Sequence, residues 1–396
     1  MNMTSVFIEP TGRCIAPFDD PIGETPVLNR PLREWQAQAF AEAGLVPSPV
    51  LQRPCLVVPD TLFASGTALR AFVDGAGGHD AVLVLKRSEF AKWTTCVQPG
   101  VREVEDGYVY EAIRFLGSEP EPPRQIVVDP EERVLKTAAP RQFSGKDPGA
   151  IGLPRHPVMT LHHWVHILWA NQIAGAYEAS ATPRWRSAYR LLWAILRARS
   201  LNRWKVLRAL STHGKRCDIH PSAIIEGSVL GNDVSVGANA RILFSRVGDG
   251  SSILADGQVE FSVLGERSWI AQQSVLRFSV TYPGAVVGGL TQQSVFGRDA
   301  MTTGACIFDL NIERDIRVDL DGVLYPSGQQ FLGAAMGHRA RALSTQVRVA
   351  SGRAIPNDYL LIGDPKQAAS KITPGLAEAG PLVIRDGELH PLNEPQ

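Results

Sequence analysis

A repeat constrains this chain more than any other feature. From Ile225 the sequence divides every seventeen residues into IEGSVLGNDVSVGANAR, ILFSRVGDGSSILADGQ, VEFSVLGERSWIAQQSV and LRFSVTYPGAVVGGLTQ. Three aliphatic columns result: Ile225, Ile242, Val259 and Leu276; Leu230, Val247 and Leu264; Ile219, Val236, Ile253 and Ile270. A serine column runs beside them through Ser228, Ser245, Ser262 and Ser279, and Ser294 resumes it. One inward aliphatic residue per strand, at spacings of five and six, fills a triangular core. An antiparallel meander would instead alternate with period two and vary its turn lengths. The pattern predicts a left-handed parallel β-helix over residues 217–365, with Gly231, Asn232, Gly248, Asp249 and Gly250 at corners that need left-handed backbone angles.

The repeat breaks in the charged run NIERDIRVDLDGVLYPSG and resumes with Leu343, Val349 and Ile355 six apart. Residues 309–328 are therefore expected to form a loop protruding from the helix, and loops carry function more often than coils do. Residues 366–396 read as a Pro- and Gly-containing tail.

A chain of 396 residues exceeds one ordinary core, so two domains and a connector are expected. Forty basic and forty acidic residues cancel, which excludes a whole-molecule field directed at nucleic acid or lipid. Cys14, Cys55, Cys96, Cys217 and Cys306 are scattered and include no C-x-x-C pair, against a disulfide framework or a thiolate zinc site. Neither a signal peptide nor an apolar run of membrane-spanning length is evident, so a cytoplasmic location is expected.

Residues 1–145 alternate strand-like and helix-like segments: VFIEP, PLREWQAQAFAEAGL, PCLVVPD, TALRAFVDGAG and DAVLVLK. That alternation predicts an α/β domain with a parallel sheet covered on both faces. Residues 146–216 form a helical connector carrying Trp164, Trp169, Trp185, Trp193 and Trp204, with ten basic residues and no acid from Arg184 to Arg216. Such a segment either lies on an anionic membrane or packs between two domains with its tryptophans buried. The packing arrangement is the expectation here. His156, His162, His163 and His166 cluster at the connector's start. His162 and His166 share a helical face, but without a neighbouring glutamate or thiolate they are expected to be structural rather than metal ligands.

The stretch Asn29-Arg30-Pro31-Leu32, followed by a helix closing in Glu42-Ala43-Gly44-Leu45, looks like a "G-x-P-L-I … A-G-I" segment, and Val57-Val58-Pro59-Asp60 like a strand ending in "G-D". On these motifs and the coils, the chain resembles the sugar-1-phosphate nucleotidyltransferases that carry a C-terminal left-handed β-helix. The resemblance covers most of the chain. It implies a Rossmann-like nucleotidyltransferase domain that joins a sugar 1-phosphate to a nucleoside triphosphate with Mg2+. Asp60 would hold the metal, with Asp129 as a second carboxylate. Arg13 would face the phosphates, and the Gly12 amide would approach the nucleotide. A nucleotide or nucleotide-sugar is the implied ligand, and a homo-oligomer, trimer or tetramer, is expected, with no nucleic-acid partner.

The chain departs from that pattern where phosphates should be held. The family's G-x-G-T-R-(L/M) loop is reduced to Thr11-Gly12-Arg13, then Cys14-Ile15-Ala16-Pro17, and the following lysine is replaced by a run containing Glu24. A non-catalytic nucleotide-sugar-binding, scaffold or regulatory subunit is therefore the rival expectation. A third is acyl transfer from acyl-CoA on the coils, with His338 as general base and Arg339, Arg341 and Arg353 meeting the CoA phosphates. His220 is the other histidine within the coils.

Overall fold

The computed structural model describes residues 4–136, 150–307, 310, 311, 314–367, 369 and 382–391. Seven strands form the N-terminal sheet. Six lie along its path: β1 (Thr4–Glu9), β2 (Leu45–Pro47), β3 (Cys55–Pro59), β4 (Ala81–Lys86), β5 (Gly107–Leu116) and β6 (Arg124–Val128), in the order β6-β4-β5-β3-β1-β2, and Val101–Val104 pairs with β5 alone. Expected to be parallel, the sheet is mixed, because β5 runs antiparallel to both β3 and β4. The reason is local. Val101–Val104 folds back on β5 through a tight turn, so β5 is delivered by a hairpin and not by a crossover helix.

Helix α1 (Leu32–Ala43) stops at Gly44, whose φ of 73° makes it a left-handed cap. Helix α2 (Gly66–Ala76) begins at Ser65, whose side chain accepts from the Ala68 amide. After the short α3 (Glu89–Thr94), the connector splits. Helix α4 (Trp164–Ala181) is apolar around most of its surface and lies in the same core as the sheet, with Trp164 and Trp169 buried. Helices α5 (Arg184–Ala198) and α6 (Arg203–Leu210) stand outside it. There Trp185, Trp193 and Trp204 are 67%, 56% and 43% exposed, which overturns the expectation that the connector tryptophans are all buried.

From Thr212 to Ile362 the chain winds into stacked parallel strands consistent with a left-handed β-helix. The registers follow the repeat: Ile225 pairs with Ile242, Ile242 with Val259 and Val259 with Leu276. The other two columns align in the same way. Each serine hydroxyl accepts the backbone N–H of the serine one coil on, at 3.1 Å from Ser228 through Ser279, and Ser294 passes the ladder to the Ala334 amide. Each also donates to the carbonyl two residues back, so these buried hydroxyls are satisfied twice. The serine column is structural.

Of the five residues expected at left-handed corners Gly250 is one, with φ 67°, whereas Gly231, Asn232, Gly248 and Asp249 are not left-handed. Left-handed φ angles fall on Asp233, Gly250, Arg267 and Gly284, seventeen apart. Gly231 and Gly248 are small for another reason: a Cβ on Gly248 would sit 2.6 Å from the Glu266 amide nitrogen of the next coil. In the last coils Ala342 fills the core where Leu343 was expected, beside Val349 and Ile355.

The inserted segment does not protrude. Arg317–Leu320 pairs antiparallel with Val323–Pro326, and Ile316 and Val318 are buried in the N-terminal core. Strand alternation puts Ile316, Val318 and Leu320 on one face, and docking removes that face from water. Residues Leu382–Arg385 and Glu388–Pro391 of the tail form a further hairpin.

Candidate functional site

The parallel strands β1, β3, β4 and β6 point their C-terminal ends to one edge, where open α/β sheets take up ligands. Four of the five residues expected to act are there: Gly12 and Arg13 on the segment after β1, Asp60 after β3 and Asp129 after β6. Gly12 adopts φ 63° with no heavy atom within 4 Å of where a Cβ would be, so the left-handed turn alone calls for glycine. Asp60 accepts from the Thr11 hydroxyl at 2.7 Å and the Thr11 amide at 3.1 Å, using both carboxylate oxygens to fix that turn. Arg13 reaches Asp321 of the inserted hairpin at 3.5 Å.

Asp129 ends β6, three strands away from β3, which is about 14 Å at ordinary strand spacing. Its carboxylate accepts from Lys86 Nζ at 2.7 Å and from the Glu131 amide at 2.8 Å. The Lys86 ammonium, hydrogen-bonded to it, holds the carboxyl below its ordinary value. Asp60 and Asp129 are thus not brought together. Among the described residues no group of three or more His, Cys, Asp or Glu side chains could hold a metal ion. The carboxylates expected to bind Mg2+ do not fit it.

The segment after β1 continues as a strap onto the coils. Phe18 stacks on Tyr282 with ring centroids 4.9 Å apart, and Ile15 and Phe18 are buried. Asp20 meets Arg298 through two hydrogen bonds, one of them 3.0 Å from Nη1 to Oδ2. It also meets His338 Nε2 at 3.0 Å. Asn357 donates to the Phe18 carbonyl at 3.3 Å and its side-chain oxygen accepts from the His338 amide. Burial alone would raise the Asp20 carboxyl, but the hydrogen bonds from His338 and Arg298 outweigh it and leave the group below its ordinary value.

His338 cannot serve as the expected general base in this arrangement. Nδ1 accepts from the Arg298 backbone N–H at 2.8 Å, so the ring proton is on Nε2 and is donated to Asp20. Neither nitrogen keeps a free lone pair, and the side chain is 4% exposed. Of the arginines expected to meet CoA, Arg339 is paired with Asp358 and Arg353 donates to the Arg317 carbonyl. His220 is exposed and hydrogen-bonded to Ser222.

Two of the connector histidines, His163 and His166, are internal fasteners. His166 Nδ1 accepts from the amides of His162 and His163, and its Nε2 donates to the Cys96 carbonyl. His163 Nδ1 accepts from the Val165 amide, and its Nε2 donates to the Asp319 carbonyl of the inserted hairpin. Burial pushes His162 and His163 down to about 4, so both are neutral near pH 7. Thr61 Oγ1 and His162 Nδ1, both shielded from solvent, have no hydrogen-bond partner among the described residues.

Sequence reasoning did not find Phe18, Asp20, Tyr282 or Arg298. A signal was present: Phe18-Asp19-Asp20 puts an aromatic and two acids directly after the shortened Thr11–Pro17 segment.

No protein-family model matches this chain. No curated protein matches it either. Among solved structures, one from Bacillus cereus described as a "putative acetyltransferase" aligns at 16% identity over 38% of this chain and 77% of its own, with a TM-score of 0.18. A likeness that low carries no argument about fold or activity.

Proposed function

We propose that this chain is a non-catalytic relative of the sugar-1-phosphate nucleotidyltransferases, a scaffold in which the segment following the former phosphate loop ties the α/β domain to the β-helix. The observation that carries the reading is the strap at Phe18–Asp20. Phosphoryl-type transfer is mostly positioning and charge neutralisation, with backbone N–H groups, a cation and a metal around the phosphates. Here the loop that would supply those N–H groups is reduced to Thr11-Gly12-Arg13, and the segment that follows it presents acids and is held down by Arg298, His338 and Tyr282. Asp60 is committed to Thr11, and Arg13 points at the carboxylate of Asp321.

The test is pyrophosphate release from each nucleoside triphosphate with a panel of sugar 1-phosphates and Mg2+, paired with thermal unfolding in the same mixtures. The scaffold reading expects no turnover and no magnesium-dependent rise in Tm. Turnover that disappears in Asp60→Ala, with folding intact, would overturn it.

A further inference from the structure

Helix α5 leaves a continuous apolar stripe in water. Trp185, Tyr189, Leu192 and Leu196 recur at i, i+4, i+7 and i+11, so they share one face. All four are exposed, from 56% to 67%. Trp193 and Leu191 flank them, Leu201 at the turn into α6 is 85% exposed, and Trp204 continues the surface. Among the described side chains of α5 only Ala194 is fully buried, so the helix is held by its narrow Ala194 side and not by its aromatic one. Water-facing tryptophans and leucines in this number form a patch that calls for a covering partner.

The charges beside the stripe are of one sign. Arg186, Arg190 and Arg197 form a second line along α5, about 100° around the helix from the apolar line. Arg190 and Arg197 also line a groove of about 250 Å³ between α5 and α6, with Trp193 and Tyr189. Arg199, Arg203 and Lys205 follow at the turn and on α6. None of these six makes an ion pair with a described residue, whereas Arg208 and Arg216, nearer the coils, pair with Glu226 and Asp233. Arg203 instead lies over the ring of Trp204.

We propose that the α5–α6 hairpin docks the protein on the surface of an anionic phospholipid bilayer, lying in the interface with the Trp185–Leu196 stripe inward. No helix among the described residues is long and apolar enough to cross a bilayer. A strongly amphipathic helix with tryptophan and leucine on one face and arginine beside them is instead the composition of an interfacial helix. Its aromatic rings have one apolar and one polar end, and its arginines reach phosphate while their stems stay with the acyl boundary. The same face of a second copy would meet this one with six uncompensated cations on each side, which opposes a symmetric dimer. Nucleic acid would satisfy the arginines but leave Leu192, Leu196 and Leu201 in water. The proposal concerns a surface apart from the sheet edge and holds whether or not that edge turns over a substrate.

The test is co-sedimentation of the full chain with vesicles of phosphatidylcholine alone and of phosphatidylcholine with roughly one third phosphatidylserine. Binding to the anionic vesicles only is expected, with a blue shift in tryptophan emission, and it weakens as salt rises from ~0.05 M to ~0.5 M. Reversing Arg186, Arg190 and Arg197 to glutamate should lower partitioning about a hundredfold, at about fivefold per neutralised cation or more. Trp185→Ser with Leu196→Ser should abolish the blue shift without moving the thermal midpoint, since both residues are exposed. No binding at low salt, or binding that the charge-reversed variant keeps, would overturn the proposal. So would a vesicle-indifferent chain whose dimer mass is lost in the serine variant, or one that binds duplex DNA in place of vesicles.

Discussion

Helices α4 and α5 are neighbours in the chain and both carry tryptophans, yet they meet opposite fates. On α4, Trp164 and Trp169 are 1% exposed and pack among Val165, Ile167, Leu168 and Ile173 in the core shared with the sheet. On α5, Trp185 and Trp193 are more than half exposed and lie near arginines that make no ion pair with a described residue. What separates them is the breadth of the apolar surface. α4 is apolar nearly all round and must be enclosed, while α5 has a stripe and a charged flank and can rest against a boundary between apolar and polar media. The same residue type therefore stabilises the fold in one helix and is left for an external surface in the next.

The contrast breaks most readily at the tryptophans. Trp169→Ala should lower the free energy of unfolding by about 3–5 kcal/mol in urea titrations, as loss of a large buried ring does. Trp193→Ala should change it by no more than about 0.5 kcal/mol. Comparable losses at the two positions would mean that α5 is enclosed after all. The strap comes next. Asp20→Ala leaves Arg298 and His338 without their shared carboxylate and should cost about 3 kcal/mol, read in the same titrations. A neutral result would detach the strap from the interdomain contact and weaken the scaffold reading with it.

Acid should then act on one side of the contrast only. His162 and His163 titrate at about 4 in the folded chain, against an ordinary value of 6.5. Between those values the unfolded chain binds more protons, so stability is complete above roughly pH 6.5 and falls as pH drops toward 4. The loss is on the order of a few kcal/mol, measured as the urea midpoint at pH 7 and pH 5, and replacing both histidines should reduce it, the remainder belonging to His156 and His166, which burial also holds below the ordinary value. The smallest expected loss belongs to the coils: Ser245→Ala removes the acceptor of the buried Ser262 amide and should cost about 1–2 kcal/mol, still above the near-neutral Trp193→Ala.

Much of the coil region was legible because its contacts are periodic. Residues seventeen apart are spatial neighbours, so the columns at Ile242, Val247 and Ser245 could be aligned from the sequence. The corner angles were not, since Gly231 and Gly248 answer to the approach of the next coil and not to their own φ. In the N-terminal domain the ends of α1 and β3 were readable from Gly44 and Asp60, but the direction of β5 was not. At the candidate site, reading Asp60 and Arg13 one motif at a time located the sheet edge. It could not show that Asp60 is occupied by Thr11, that Asp129 ends three strands away, or that His338 faces Asp20.

The sequence by itself determined the stacked coils, the serine ladder, the amphipathic order of α5 and the missing glycines of the phosphate loop. All of these follow from spacing along the chain, where side-chain periodicity and backbone geometry act within a few residues or at one fixed repeat. Only the tertiary structure decided which tryptophans are covered, where the inserted hairpin docks and what the strap at Phe18–Asp20 grips. Those outcomes depend on residues such as Asp20 and His338, 318 positions apart, meeting in space. No local preference encodes such a meeting, because burial and charge pairing are settled only when the whole chain has packed.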